Sequence, residues 1–293
     1  MSIAPAALLL AVAASLSWAG VDLLRKLLVR EIPPVALVFL LTLGSAPLFA
    51  LWLAIEGAAR PAPGYLAPAL GSVLLNVVAN LMFVQGMRIA PLSVTVPLLS
   101  LTPVFATLLA VPLLGERPST LDMLGILLVV AGAIWLNALP RGAKGGEGVE
   151  DRRERIGGAL LVAVTALLWS LTIPLDKLAV ERSGAPLHGL VLTGGVAVGT
   201  LVVLVVRGSL GELAAARRVP GVLALALVVS SAALGLQLLA LPLMLVGTIE
   251  TLKRGVGNFM ALVSGRVFFG EPVTPGKVVA VLLMAVGVAL ILT

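Results

Sequence analysis

The chain has 293 residues, of which 60% are hydrophobic and only 12% are charged, and its mean hydropathy is +1.15. A soluble domain of this length cannot bury so much apolar surface, whereas helices in lipid satisfy their backbone polar groups internally, so the composition excludes a soluble globular protein. The net charge of +6 comes from basic residues at the ends of apolar runs, without interleaved aromatic residues, which indicates membrane anchoring and excludes a nucleic-acid partner.

Ten apolar runs follow one another along the chain, separated by charged or Pro- and Gly-rich breaks. Each is close to the roughly 20 residues that a membrane-crossing helix needs. The sequence therefore predicts an all-α membrane protein with about ten transmembrane helices, surrounded by the lipid bilayer of the inner or plasma membrane. The predicted helices lie near residues 4–28, 33–55, 65–88, 91–114, 120–139, 157–180, 187–206, 220–242, 248–268 and 274–292.

A polar segment at residues 141–155 interrupts the series of apolar runs. It is rich in Gly, Lys, Glu, Asp and Arg and has no apolar period, as is typical of a solvated linker. We therefore expect a first five-helix repeat over residues 1–140 and a second five-helix repeat over residues 156–293.

The two halves share sequence features in the same order, which indicates duplication. The equivalent features are Gly115-Glu116 and Gly270-Glu271 after the fourth and ninth helices, and Trp18 with Lys26 and Trp169 with Lys177, at equal spacing, in the first and sixth. Because five is an odd number, duplicated halves must enter the membrane in opposite orientations. Inverted repeats of this kind build many secondary transporters, whose substrate site lies near the midplane where the halves meet.

With these features the chain resembles the EamA-type members of the drug/metabolite transporter superfamily over nearly its whole length. The resemblance rests on the two five-helix halves, on the early Trp18 and Trp169, and on the Gly-Glu pairs. Pro103 is similar to the proline that such proteins carry midway through the fourth helix, whereas the second half has Asn258 at that place. The resemblance implies a transporter of a small molecule and does not identify the substrate.

Polar residues inside the predicted helices are the candidates for binding a substrate or a coupling ion, because an ionisable group there costs about 2.5 to 3.5 kcal/mol on insertion scales. Asp22 and Lys26 lie on one face with Trp18, and Asp176 and Lys177 occupy the corresponding place in the sixth helix. They either act in transport or end their helices at the interface. The full set is Trp18, Asp22, Lys26, Asn76, Asn80, Trp169, Asp176, Lys177, Glu250, Lys253, Arg254 and Asn258.

The ninth predicted helix begins with both signs of charge on one face. Glu250, Lys253 and Arg254 are spaced three and four residues apart, and such spacing brings side chains together on a helix. Two interpretations fit this pattern. The three groups line the mouth of a cavity, or they form an interfacial ion pair at a helix start, where Glu250 suits the positive end of the helix dipole.

Three amides lie near the middle of predicted helices, and the Gly-Glu pairs lie at helix ends. Asn76 and Asn80 in the third helix and Asn258 in the ninth must be hydrogen-bonded at that depth. They either bind substrate across a central cavity or join helices to one another. We interpret Glu116 and Glu271 as parts of tight turns that shape helical hairpins, rather than as catalytic groups.

The residue inventory argues against enzyme chemistry. The chain has no cysteine, and His188 is its single histidine, so neither a histidine metal site nor a Ser-His pair is expected. No phosphate-loop motif is present. We expect no catalytic residue, no metal and no cofactor.

The leading hypothesis is a secondary active transporter, an exporter or exchanger that moves a small metabolite by alternating access. Protons or a counter-solute would drive it, and nothing in the sequence requires an oligomer. The candidate residues carry both charges with a basic excess, and aromatic residues make up only 4% of the chain. This favours a zwitterion or an anion, such as an amino acid, over a bulky aromatic cation.

Three alternatives stay open: a flippase for a lipid-linked or amphiphilic molecule, a polytopic membrane enzyme or non-transporting partner protein, and a channel. Orientation is open as well. The Lys and Arg bias places the linker inside and both termini outside, whereas the resemblance implies cytoplasmic termini.

Overall fold

The computed structural model describes residues 4–57, 60–89, 98–138, 149–269 and 273–292. Within these ranges the chain forms α-helices, short 3-10 segments and turns, and no strand. The helices are α1 (Pro5–Leu28), α2 (Pro34–Glu56), α3 (Leu66–Ile89), α4 (Thr102–Leu114), α5 (Thr120–Ala138), α6 (Val149–Ser183), α7 (Ala185–Val206), α8 (Pro220–Ala240), α9 (Val246–Phe269) and α10 (Pro275–Ile291). The 3-10 segments are Leu99–Leu101, Leu210–Arg218 and Leu241–Leu243.

Most of these helices are apolar on every side, as lipid-facing helices are. Six of those in the described part of the chain are long and apolar enough to cross a bilayer. Large apolar side chains such as Leu9, Leu74 and Val206 are exposed on the outside of the bundle. The six spans lie in α1, α2, α3, α6, α7 and α8, and shorter apolar helices cover Leu99–Leu114, Thr120–Leu136 and Pro275–Ile291. The chain is therefore an integral, multi-pass membrane protein.

Local signals explain where the helices around the fourth and fifth elements begin and end. Gly115 has a φ of +67° and closes α4 in a left-handed conformation, which glycine adopts without steric cost. Ser119 and Asp122 then form a reciprocal cap: the amide of Asp122 donates to Ser119 Oγ at 3.1 Å, and the amide of Ser119 donates to Asp122 Oδ2 at 2.7 Å. Pro103 lies in the first turn of α4, where its missing N–H breaks no helical hydrogen bond.

One predicted helix start differs from the structure. Helix α6 begins at Val149, inside the segment that composition predicts to be a solvated linker. The segment 150–155 reads EDRRER, and Glu and Arg are strong helix formers whose opposite charges three or four residues apart stabilise a helix without a hydrophobic partner. The remaining linker residues 141–148, residues 91–97 of the predicted fourth helix, and Gly270 and Glu271 lie outside the described residues.

The principal helix pairs join the first five helices to the last five. Helix α1 packs on α8 and α9, while α6 packs on α3 and α4; α2 packs on α7, and α5 packs on α10. When helices α1 to α5 are exchanged with α6 to α10 in the same order, the same set of helix pairs results. Equivalent helices of the two halves therefore have equivalent packing partners.

The α5–α10 pair is held at very short range by glycines. A Cβ added at Gly125 would lie 2.5 Å from the carbonyl oxygen of Gly287, and a Cβ added at Gly287 would lie 2.6 Å from that of Gly125. A Cβ at Gly132 would lie 2.8 Å from the carbonyl oxygen of Ala280. The two backbones touch directly, as in small-residue interfaces of membrane helices.

Candidate functional site

Six helices surround a pocket in the centre of the bundle. It is lined from the first half by α1 and α3 and from the second half by α6, α7, α8 and α9. The polar and aromatic lining residues are Trp18, Asp22, Arg25, Asn76, Asn80, Trp169, Thr172, Asp176, Gln237, Lys253, Arg254 and Asn258, and the others are Ala19, Ile173, Leu192, Leu234 and Gly257. Of the residues singled out from the sequence, Lys26, Lys177 and Glu250 are not part of this lining.

One wall of the pocket is cationic. The guanidinium carbon of Arg25 and the ammonium of Lys253 lie 5.7 and 5.8 Å from the centroid of the Trp18 ring, within the range of a cation–π interaction. Arg25 also donates to Asn80 Oδ1 at 3.4 Å, and Lys253 donates to Gln237 Oε1 at 3.3 Å. Two cations, one from α1 and one from α9, thereby lie near the same aromatic ring.

Glu250 holds this wall in place from behind. It is fully buried, with 0% of its surface exposed, and forms ion pairs with Lys253 and with Arg254, whose Nη2 lies 3.6 Å from Glu250 Oε2. A buried carboxylate is tolerated only with such partners. The complete burial of Glu250 is incompatible with the interfacial ion pair considered from the sequence, because that pair would face water.

A series of buried hydrogen bonds joins α3, α6 and α7 next to the pocket. The hydroxyl of Ser72 donates to Asp176 Oδ1, and Nε2 of His188 lies 2.9 Å from the same oxygen. The amide of Asn76 donates to Ser72 Oγ at 3.1 Å. Asp176 and Asn76 line the pocket, whereas Ser72 and His188 lie behind them and are completely buried.

The mid-membrane amides both line the pocket and join structural elements. Asn80 donates to the carbonyl oxygen of Asn76 at 2.9 Å, one turn earlier in α3. Asn258 on α9 donates to Ser100 Oγ at 3.0 Å, which ties α9 to the 3-10 segment before α4. The two uses considered from the sequence therefore do not exclude each other.

The two lysines that follow the tryptophans point away from the pocket. Lys177 donates to Glu116 Oε1 at 2.7 Å and to the carbonyl oxygen of Met244 at 2.8 Å. Lys26 donates to the carbonyl oxygen of Met87 at 2.7 Å. The lysines are therefore separated from the aspartates with which the sequence groups them, since Asp22 and Asp176 line the pocket and the two lysines do not.

Glu116 has a larger role than shaping a turn. Besides its ion pair with Lys177, its carboxylate accepts the backbone N–H of Val246 at 3.0 and 3.1 Å. Val246 is the first residue of α9, so the carboxylate satisfies a free N–H group at the positive end of that helix. Glu116 thus connects the α4–α5 turn to α6 and to the start of α9.

Three side-chain donors of pocket-lining residues have no hydrogen-bond partner within the described residues. They are Nε1 of Trp18, Nε of Arg25 and Nε of Arg254, and all three atoms are buried. Each of these groups can only donate. These three donors are therefore available to an acceptor group of a bound molecule.

Some site residues escaped the sequence interpretation, although one had a usable signal. Arg25 was grouped with the membrane-flanking cations, yet it stands seven residues after Trp18, as Asp176 stands seven after Trp169. Aligning the two halves at the tryptophans finds it. Gln237 and His188 carry no comparable signal, because a single polar residue in an apolar run does not reveal its partner.

Comparison with known proteins agrees with this architecture. Residues 5–138 match the model of the EamA-like transporter family, which belongs to the drug/metabolite transporter superfamily. A search of curated proteins gave no significant match. Among the solved structures that match is one described only as "Crystal structure of protein", with a TM-score of 0.72 at 18% sequence identity, covering 97% of this chain and 95% of that chain; it shows the fold alone.

Proposed function

We propose that this member of the EamA-like family, a membrane transporter of the drug/metabolite type, is a secondary active exporter or exchanger of a small zwitterionic or anionic metabolite such as an amino acid. It works by alternating access in the inner or plasma membrane. The protein is embedded in the lipid bilayer, and the substrate binds in the central pocket between α1, α3, α6, α7, α8 and α9.

The observation that carries this proposal is the set of three buried donors without partners, on Trp18, Arg25 and Arg254. Leaving a buried donor unpaired costs about 1 to 3 kcal/mol. A carboxylate or another oxyanion supplies several acceptor sites at once, and its charge is balanced by the two guanidinium groups. An anionic group of the substrate is therefore the natural partner of this wall.

The remaining lining favours a substrate that also carries a positive charge. Asp176 and Asp22 present carboxylates to the same pocket. A zwitterion places its carboxylate toward the arginines and its ammonium toward Asp176. The Trp18 ring already contacts two cations, so it offers a poor cage for a third, as a cationic drug would require.

Transport by the purified protein tests this function. Proteoliposomes loaded with unlabelled solute are given trace labelled amino acids, organic anions, sugars and a fluorescent phospholipid in separate assays. We expect counterflow of at least one amino acid or organic anion. Movement of the phospholipid alone would favour a flippase, and absence of movement for the whole panel would contradict the metabolite hypothesis.

Alternating access in this form requires that the two halves be inserted in opposite orientations. The exchange symmetry of the helix pairs supports this arrangement, because α1 with α8 and α9 matches α6 with α3 and α4. The turns after α4 and after α9 are equivalent in the duplication, so they must lie on opposite sides of the membrane.

Cysteine labelling tests this topology directly, since the chain has no cysteine of its own. Arg117→Cys and Val273→Cys place single thiols in exposed positions of the two equivalent turns. With a membrane-impermeant maleimide on sealed, right-side-out vesicles we expect only one of the two variants to react, and both to react after permeabilisation. Reaction of both variants in sealed vesicles would contradict the inverted repeat.

A further inference from the structure

The only histidine of the chain is buried against a carboxylate of the pocket. His188 on α7 has 0% exposure, and its Nε2 lies 2.9 Å from Oδ1 of Asp176 on α6. Its second ring nitrogen, Nδ1, has no hydrogen-bond partner among the described residues. The transport site as described above uses Asp176 and gives His188 no part.

Behind the pocket this pair is surrounded by neutral groups, whereas on the pocket side Asp176 shares the lining with Asp22, Arg25, Lys253 and Arg254. From the start of α3, the ring of Tyr65 stands edge-on to the imidazole at 6.2 Å, and Ser72 of α3 donates to the carboxylate. From α2, the apolar Phe49 lies beside Gly189, the residue that follows the histidine. The neighbouring Lys177 is bonded to Glu116.

Burial fixes which charge states the pair can hold. With one titratable proton it is neutral overall, as imidazolium with carboxylate or as imidazole with carboxylic acid. Without that proton it has a net charge of −1, which is unfavourable in a low-dielectric interior unless a cation lies nearby. The cations of the lining are engaged elsewhere, Arg25 with Asn80 and both Lys253 and Arg254 with Glu250. A further cation reaches the pair from the pocket side, because Asp176 lines the pocket while His188 does not.

We propose that His188 and Asp176 together form the proton-binding site of the transporter, and that a proton on this pair and the ammonium group of the substrate exclude each other. This inference rests on the proposed function for its substrate. When the pocket is empty, the pair holds one proton and is neutral. When a zwitterion binds, its ammonium group lies beside Asp176, and the pair releases one proton to water in the open pocket.

The balance of this exchange defines the direction of coupling. One substrate molecule enters the site as one proton leaves, and the reverse happens on the other side of the membrane, so substrate and proton move in opposite directions. One pH unit across the membrane then supports about a tenfold concentration ratio of substrate when the membrane potential is clamped. Protons flow from the more acidic compartment to the other one, and each proton is exchanged for one substrate molecule. Substrate therefore accumulates in the more acidic compartment.

The proton site can be observed without any substrate. Because His188 is the single histidine, protein labelled with 15N-histidine and freed of its tag gives signals from one imidazole. We expect the wild-type signals to change when the proton of the pair is removed by raising the pH, and the signals of Asp176→Asn to lack that change. Wild-type signals that do not change with pH would overturn the proposal.

Coupling is tested with labelled glutamine, alanine and glutamate in proteoliposomes, with the membrane potential clamped by potassium and valinomycin. We expect the wild type to accumulate at least one of them about tenfold per pH unit. His188→Gln, which retains a donor toward Asp176, should keep counterflow and lose the accumulation. Asp122→Asn, which alters an exposed carboxylate at the start of α5, is the matched control and should behave as wild type.

The outcomes separate the two proposals. If counterflow in the wild type does not respond to the pH gradient, the proton exchange is contradicted, whereas the proposed function still holds. If none of the three amino acids moves, an amino-acid substrate is contradicted, while the 15N measurement still decides whether the His188–Asp176 pair binds a proton.

Discussion

Replacing Arg254 by Gln is expected to lower transport in proteoliposomes at least tenfold while the yield of monodisperse protein stays unchanged. Arg254 Nε is one of the partnerless donors of the pocket, and a hydrogen bond to a charged group is worth about 1.5 to 3 kcal/mol, or roughly a ten- to hundredfold change in binding. The fold tolerates the change because Lys253 still pairs with the buried Glu250. Initial transport rates, normalised to protein recovered from size-exclusion chromatography, measure the effect.

A double and a triple variant separate the binding role from the structural role. Replacing both Lys253 and Arg254 by Gln leaves Glu250 buried without a counter-charge, which we expect to destabilise the protein by about 3 to 5 kcal/mol. Adding Glu250→Gln removes the unpaired charge, so folding should recover while transport stays absent. Full transport by Arg254→Gln, or by the triple variant, would show that this wall does not bind the substrate.

Replacing Glu116 by Ala is expected to lower the unfolding free energy by about 3 to 5 kcal/mol, among the largest effects of any single change outside the pocket. The Glu116 and Lys177 side chains are only 7% and 10% exposed, so the lysine would keep a buried charge with no counter-ion. The first N–H group of α9, on Val246, would lose its acceptor at the same time. Tryptophan fluorescence during thermal unfolding in detergent measures the loss.

Two further variants show whether the buried ion pair is the cause. Glu116→Gln with Lys177→Met removes both charges and keeps an acceptor for the α9 amide, so much of the stability should return. Glu56→Ala is the matched control: Glu56 also accepts a hydrogen bond, from Trp52 at 2.6 Å, but it is exposed, and we expect a change below about 1 kcal/mol. Equal losses from Glu116→Ala and Glu56→Ala would contradict a structural role for the buried pair.

The all-helical membrane architecture could be predicted from the sequence because it depends on local properties, such as the hydropathy of successive segments. Apolar runs near 20 residues long predict spans without knowledge of any contact, and the cap formed by Ser119 and Asp122 is a local pattern. The start of α6 was missed because a charged segment can be helical through its own i,i+4 pairs. Hydropathy alone does not register such pairs.

The sequence predicted most of the polar residues that line the candidate site, but not how they are arranged. Intramembrane polarity pointed to most of the lining, such as Asp22, Asn80 and Lys253, because a polar residue in an apolar helix marks a candidate site before its partners are known. Lys177 instead donates to Glu116 and to the carbonyl oxygen of Met244, and no spacing within α6 predicts partners on other segments. The pairing of Asp176 with His188 joins α6 to α7, and no spacing rule predicts a contact of that kind.

The glycine seam between α5 and α10 limits how the sequence can change over evolutionary time. The backbone of Gly125 fills the space that a side chain at Gly287 would need, and the backbone of Gly287 does the same for Gly125. A methyl group added to one helix can therefore be accommodated only if the whole opposite helix moves. Compensation by a second substitution is unavailable, since there is no side chain left to shorten. Natural variants at these two positions are therefore expected to be rare, while the lipid-exposed faces of the same helices accept aliphatic replacements freely.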